Sequence, residues 1–157
     1  MIEAYRLHSS RYPASSGKGA AIRGGRWNPV GTEAIYTAAS RSLAALEILV
    51  HYSVLPKDFV ITPVRIPDSL VYEARMDNLP AEWQAHPELT ARLGGSWFEE
   101  VSMGGTYVPS PAVLSVPSAV IPAERNYVLN PAHPWFHEIE FLASELFQFD
   151  PRLKQSV

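Results

Sequence analysis

Two residues in the 157-residue chain stand out for chemistry, Glu47 and Arg26. In the stretch SRSLAALEILVHYSV, between Arg41 and Lys57, the only readily ionisable groups are Glu47 and His51, and almost everything else is apolar. At about 100° per residue, Glu47 falls on the same helical side as Leu43, Val50 and Val54. If that side is packed, the carboxylate cannot simply reach water, and burying it without a partner is costly. Two readings follow. One is a buried Glu satisfied by an Arg or by backbone N–H groups. The other is a cleft carboxylate that stabilises a developing cation or holds a sugar hydroxyl, as the carboxylates of glycosidases flank an oxocarbenium-like transition state.

Arg26 lies in R-G-G-R-W-N, where glycines allow the backbone close to a ligand and a guanidinium can fork onto phosphate oxygens. Lys18 and Arg23 add positive charge to the same segment. The standard phosphate motifs are absent: Gly17-x-Gly19 is followed by Ile22 where a dinucleotide fingerprint requires Gly, and there is no G-x-x-x-x-G-K-[ST]. An anion-binding loop and a solvated basic turn both remain open.

Six further positions are weighed on the same terms. Tyr36, in EAIYTA, offers a ring that could stack on a planar heterocycle or simply fill the core. Ser118 in S-V-P-S-A-V and Asn126 in R-N-Y-V-L-N could donate hydrogen bonds to a ligand, though capping is the commoner duty of lone polar residues near turns. His133 and His137 are four apart with Pro134 between them, and without cysteine a zinc site would need distant carboxylates, so no metal is expected. His51 four residues after Glu47 does not make a serine hydrolase, because G-x-S-x-G is missing.

The elements that must position these groups are short. Fourteen Pro and nine Gly are spread along the chain, which excludes long helical bundles. Strands are predicted over 3–8, 33–38, 58–66 (with Pro63 favouring an edge or bulge) and 70–74. Ser40 is a good N-cap for a helix that stops before Pro56. A Gly-rich, ordered or lid-like loop is predicted over 15–31. Two short helical stretches are expected between 80 and 103, separated by Gly94-Gly95. Strand-like pieces follow: YVPS, AVLSVPSAVIP, RNYVLN, and a final FHEIEFLASELFQF that fits helix or strand. The order is that of an α+β domain and not of an alternating parallel sheet.

Composition narrows the function. Thirteen Lys+Arg against sixteen Asp+Glu give a net charge of −3, which disfavours sequence-independent nucleic-acid binding. The absence of cysteine removes disulfides, thiolate zinc sites and a Cys nucleophile. No basic and apolar leader opens the chain, and no run approaches the roughly 18 apolar residues of a membrane span. A cytoplasmic protein with no membrane role is therefore expected.

Read in order, Tyr5-Arg6, Gly17-x-Gly19-Ala20, Gly24-Gly25-Arg26-Trp27-Asn28, Gly31, Ile35-Tyr36-Thr37, Ala45-Leu46-Glu47, Pro117-Ser118, Asn126-Tyr127, Asn130-Pro131 and Asp150-Pro151-Arg152 resemble the RES-domain family. The likeness runs from about residue 5 to 153, so all of 1–157 is expected to form a single RES domain. Lys18 and Trp135 depart from the family pattern without touching its chemistry. The resemblance implies an α+β, ADP-ribosyltransferase-like fold of small antiparallel sheets with a few helices. It implies the toxin of a type II toxin–antitoxin module, with NAD as substrate and no other cofactor, cleaved at the nicotinamide–ribose bond. Transfer of ADP-ribose to a protein, or nucleotide binding without turnover, are the alternatives. The implied partner is an Xre-like helix-turn-helix antitoxin, with a homodimer inside that complex. Carried over by position, the catalytic set is Glu47, Arg26, Tyr36 and Ser118, with Arg6 matching a further N-terminal Arg; the expected NAD-binding set is Arg6, Arg26 and Tyr36, joined by Asn126 for its hydrogen-bonding side chain.

Overall fold

The computed structural model describes residues 1–74, 77, 79–102 and 112–154. Eight strands form one curled sheet: β1 (Ile2–Ser9), β2 (Ile35–Ala38), β3 (Phe59–Ile66), β4 (Val71–Glu73), β5 (Val113–Pro117), β6 (Arg125–Leu129), β7 (Glu140–Phe141) and β8 (Glu145–Phe147). The order is β4-β5-β6-β2-β1-β3-β7, with β8 also on β3. All pairings are antiparallel except β4 with β5. The expected α+β class is borne out. Among the described residues no helix is long and apolar enough to cross a membrane.

Both faces of the sheet are covered, and the two-residue period of the strands decides which side chain goes where. Ala4, Ile35, Val64, Ile66, Val113 and Leu129 pack on one face. Their neighbours one residue along pack on the other, in two halves. Leu7, Ala38 and Ile61 meet helix α2 (Arg41–Leu49) through Leu43, Ala44 and Leu49. Leu114, Val116 and Val128 meet Trp97 and Phe98 of helix α3 (Pro87–Ser102), together with Trp27 and Trp83. Glu47, Tyr36 and Asn126 lie where these halves adjoin.

Several expectations are corrected. The 15–31 segment is not all loop, since Lys18–Arg23 form a short helix, α1. The helix after Ser40 ends at Leu49, well short of Pro56, although Ser40 caps it as expected by accepting from Leu43 N–H at 3.1 Å. Val50 and Val54 beyond that end are solvent-exposed, so the side shared with Glu47 is packed only at Leu43.

The two predicted stretches around Gly94-Gly95 are one continuous helix. These glycines do not break α3; they make room. A Cβ on Gly94 would stand 1.7 Å from the carbonyl oxygen of Trp27, so the helix rides directly on the backbone of the Gly-rich segment. Pro63 sits inside β3, opposite Tyr5 of β1. On its other side β3 pairs with β8 over 59–61 and with β7 over 64–65, so the proline occupies the gap between the two short strands. The last predicted segment is a 3-10 turn, Phe136–Glu138, followed by β7 and β8. The strand expected at YVPS falls outside the described residues.

Candidate active site

Glu47 is half-buried on α2 and borders a cavity of about 70 Å³, whose walls include Tyr5, Leu7, Tyr36, Ile48 and Asn126. One carboxylate oxygen, Oε1, accepts from the Ser118 hydroxyl at 2.5 Å and from Asn126 Nδ2 at 2.8 Å. The other, Oε2, accepts no hydrogen bond among the described residues. The carboxylate is thus held by one oxygen and left free at the other. This resolves the two readings of Glu47: it is satisfied by neutral donors, not by an Arg, and it still opens on a cavity.

Ser118 is fully buried just past the end of β5. Its Oγ accepts from the backbone N–H groups of Val120 (3.1 Å) and Ile121 (3.0 Å), which is the turn-capping duty anticipated for it. With both lone pairs occupied, its proton can go only to Glu47. Capping and carboxylate placement are therefore one arrangement, and Ser118 touches Glu47, not the cavity. Asn126, on β6, is paired in register with Ala38 of β2 and Val116 of β5. Its Nδ2 holds Glu47, while its Oδ1 is buried without a partner.

Tyr36 faces two ways. Its ring is part of the cavity wall, and its hydroxyl donates to Asn28 Oδ1 at 2.6 Å and accepts from Trp27 N–H at 2.9 Å. Burial pushes its pKa well above the ordinary tyrosine value, with smaller opposing effects from the Trp27 N–H, the Arg26 charge and Asn28. A Cβ on Gly25 would lie 2.6 Å from Asn28 Oδ1 and 2.7 Å from the Tyr36 hydroxyl. The close approach that this glycine permits is to Tyr36.

Asn28, for which the sequence suggested no role, is the centre of the loop. It is wholly buried, and its Nδ2 donates to the carbonyls of Ala20, Pro29 and Thr32 at 2.9–3.1 Å. A single Asn in a loop carries no signal of this, because its four partners lie on separate parts of the segment.

Arg26 projects from this fixed loop. Its Nη2 donates to the Gln84 carbonyl at 3.2 Å, and its guanidinium lies 5.8 Å from the ring centre of Trp83. Nη1 is buried without a partner, and Arg26 forms no ion pair among the described residues. A cation lacking a carboxylate, with an N–H group unfilled, suits an incoming anion. Arg26 and Glu47 are not bonded to each other; Tyr36 adjoins both.

Arg6 is not brought to this cavity. Tyr5 and Leu7 of β1 line it, whereas Arg6 and His8 point to the opposite face. There Arg6 donates to the Ala14 carbonyl, and burial brings its pKa down to about 10. His133 is buried, and its Nδ1 accepts from Trp135 N–H at 3.0 Å. No cluster of three His, Asp or Glu suited to a metal occurs among the described residues. A wider depression of about 680 Å³ beside 55–59 and 146–151 contains none of the candidate residues.

The RES domain family matches residues 3–150. The chain belongs to the RES domain family. It is 39% identical over 156 residues to a Toxin Res of Photorhabdus laumondii, with 95% of each chain covered. It is 36% identical over 145 residues to the Prs ADP-ribosylating toxin of a Sphingobium species, covering 88% of this chain and 85% of that one. Among solved structures it resembles the M. tuberculosis MbcT–MbcA toxin–antitoxin complex, with a TM-score of 0.65 at 18% identity over 97% of this chain and 86% of that chain. At that identity the likeness concerns the fold, in which RES toxins share this α+β design. By its family, this RES protein is a toxin.

Proposed function

We propose that this RES protein inhibits growth by consuming NAD, breaking the bond between nicotinamide and ribose. The observation that carries the reading is the Glu47 carboxylate, clamped through Oε1 by Ser118 and Asn126 while Oε2 takes no hydrogen bond among the described residues, on a residue that lines one cavity with Tyr36. Nicotinamide leaves with the electron pair of the C1′–N bond as a neutral molecule, so no general acid is required. What is required is a fixed negative charge where the ribose turns cationic. Oε2 supplies it. The acceptor then adds to C1′ and gives up its proton.

The 70 Å³ cavity is far smaller than the several hundred Å³ typical of a whole-ligand pocket, so it can take only part of a dinucleotide. The remainder of a dinucleotide would run outward along the loop, where the Arg26 guanidinium, which has no carboxylate partner among the described residues, can take the pyrophosphate. Arg6, on the other sheet face, is assigned no ligand contact. The extent of the family match supports treating the whole chain as one RES domain, which we take to act in the cytoplasm on the NAD pool. The fold's likeness to a toxin–antitoxin complex supports an antitoxin partner, which we take to be of the Xre type.

The test is incubation of the purified protein with NAD, with nicotinamide quantified and products weighed by mass spectrometry. Free ADP-ribose or its phosphorylated form is expected, and Glu47→Gln should lower release at least 100-fold, the order of effect of losing one electrostatic stabiliser. The relative named as an ADP-ribosylating toxin favours a second outcome, a stable mass increase on a cellular protein. NAD binding without nicotinamide release would leave only a nucleotide-binding module and refute the enzymatic reading.

A further inference from the structure

Charge is unevenly distributed along the chain. Residues 10–31 contain four Lys/Arg (Arg11, Lys18, Arg23 and Arg26) and no Asp/Glu, while the remainder carries nine Lys/Arg against sixteen Asp/Glu. Among the described residues none of Arg11, Lys18 or Arg23 is in an ion pair. The same segment holds three of the most exposed large apolar side chains of the protein: Ile22 at 75%, Val30 at 70% and Tyr12 at 66%. The backbone next to Val30 is tied to that next to Ile22, because Gly31 N–H bonds the Ala21 carbonyl at 2.8 Å, and Val30 Cγ2 lies 3.3 Å from where a Gly24 Cβ would be. Lys18 and Ile22 are one turn apart on α1 and share its face.

We infer that the surface of Lys18, Ile22, Arg23 and Val30 is a docking site for a protein segment that presents apolar side chains flanked by carboxylates. Solvated aliphatic side chains ringed by unpaired cations have the composition of an interface, an apolar centre with a charged rim. The rim cations call for acidic groups on the partner and would steer their approach. A nucleic acid fits less well: the aliphatic centre offers no plane for a base to stack on, and the acidic remainder of the protein repels an extended polyanion. The surface is already built. Asn28 and its bonds to Ala20, Pro29, Thr32 and Tyr36 fix the loop, so little ordering is lost on docking. A segment bound there sits on the loop that carries Arg26. This deepens the proposed function and rests on it, naming the toxin surface that its antitoxin covers.

The experiment measures binding of the protein encoded beside this chain to the purified toxin, by calorimetry at 50 and 500 mM salt, for wild type and for Ile22→Asp, Val30→Asp and Lys18→Glu/Arg23→Glu. Wild-type affinity should fall at least tenfold at high salt, and each variant should bind at least tenfold more weakly at low salt. Ile22→Asp and Val30→Asp should keep their thermal midpoints and their nicotinamide release. Wild-type binding that none of the substitutions weakens overturns the docking surface and leaves the proposed function standing. No binding by wild type, with NAD consumed, overturns the antitoxin pairing and the surface with it. Tighter binding to a 20-nucleotide single-stranded RNA than to the protein overturns the choice of partner.

Discussion

Ser118 fixes which oxygen of Glu47 is available for chemistry. Its Oγ accepts from the N–H groups of Val120 and Ile121, so its only proton is donated to Glu47 Oε1, at 2.5 Å, and Oε2 is left without a hydrogen bond among the described residues. In the proposed reaction a fully buried serine thus acts on a ligand that it never touches.

Ser118→Ala follows directly. It removes one of the two donors to Oε1 and leaves two backbone N–H groups without an acceptor. A hydrogen bond to a charged group is worth about 1.5–3 kcal/mol, so if the carboxylate's placement depends on it, kcat for nicotinamide release should fall roughly 10- to 100-fold. The thermal midpoint should drop too. A variant that melts lower but turns over at the wild-type rate would confine Ser118 to capping.

How much of this was legible in the sequence depends on the range of the signal. The N-cap at Ser40, the helix bearing Glu47 and the long strands β1 and β3 follow from patterns a few residues wide. The family resemblance singled out Glu47, Tyr36 and Asn126, which share one cavity, and Ser118, which bonds Glu47 from behind. Arg6 shows what resemblance alone misses, since strand alternation sends it to the other face. Gly94-Gly95 was misread as a break because glycine weakens a helix. Its actual reason is the Trp27 backbone, sixty-seven positions away in the chain and 1.7 Å from the missing Cβ.

Gly94→Ala tests that contact. The added methyl would overlap the Trp27 carbonyl, which cannot rotate aside as a flexible side chain could. Overpacking of this kind costs about 1–3 kcal/mol, or roughly 3–10 °C in the thermal midpoint for a chain of this size. The intrinsic helix preference for Ala over Gly acts in the opposite direction, so a midpoint at or above the wild-type value would mean that the helix can withdraw from the loop. Differential scanning calorimetry reads the outcome.

His8 gives the protein an acid-side sensitivity. Its Nε2 lies 2.8 Å from Thr62 Oγ1, and burial lowers its pKa, with the charge of Arg6 adding to the effect. Above about pH 6.5, the ordinary histidine value, His8 is neutral in both folded and unfolded states and its contribution is fully present. As pH falls below that value the unfolded chain takes up the proton first, so stability is lost progressively toward the lowered folded pKa. Thermal midpoints of wild type and His8→Asn should therefore converge between pH 7.5 and pH 5. A constant difference across that interval would show that His8 does not titrate between the two states.

Tyr36→Phe separates the two duties of the tyrosine. Phe keeps the ring in the cavity wall but releases Asn28 Oδ1 and the Trp27 N–H, the two bonds through which the hydroxyl anchors the loop that presents Arg26. At about 1 kcal/mol per bond, the loop should loosen enough to raise KM for NAD roughly 5- to 30-fold while kcat changes little. Because burial raises the Tyr36 pKa, its hydroxyl keeps its proton across the working range, and no alkaline limb in the wild-type rate should vanish in the variant. Steady-state kinetics across pH provide the comparison. A collapse of kcat at unchanged KM would move the hydroxyl from anchoring the loop into the bond-breaking step itself, a role at odds with a group that already donates to Asn28 Oδ1 and accepts from Trp27 N–H.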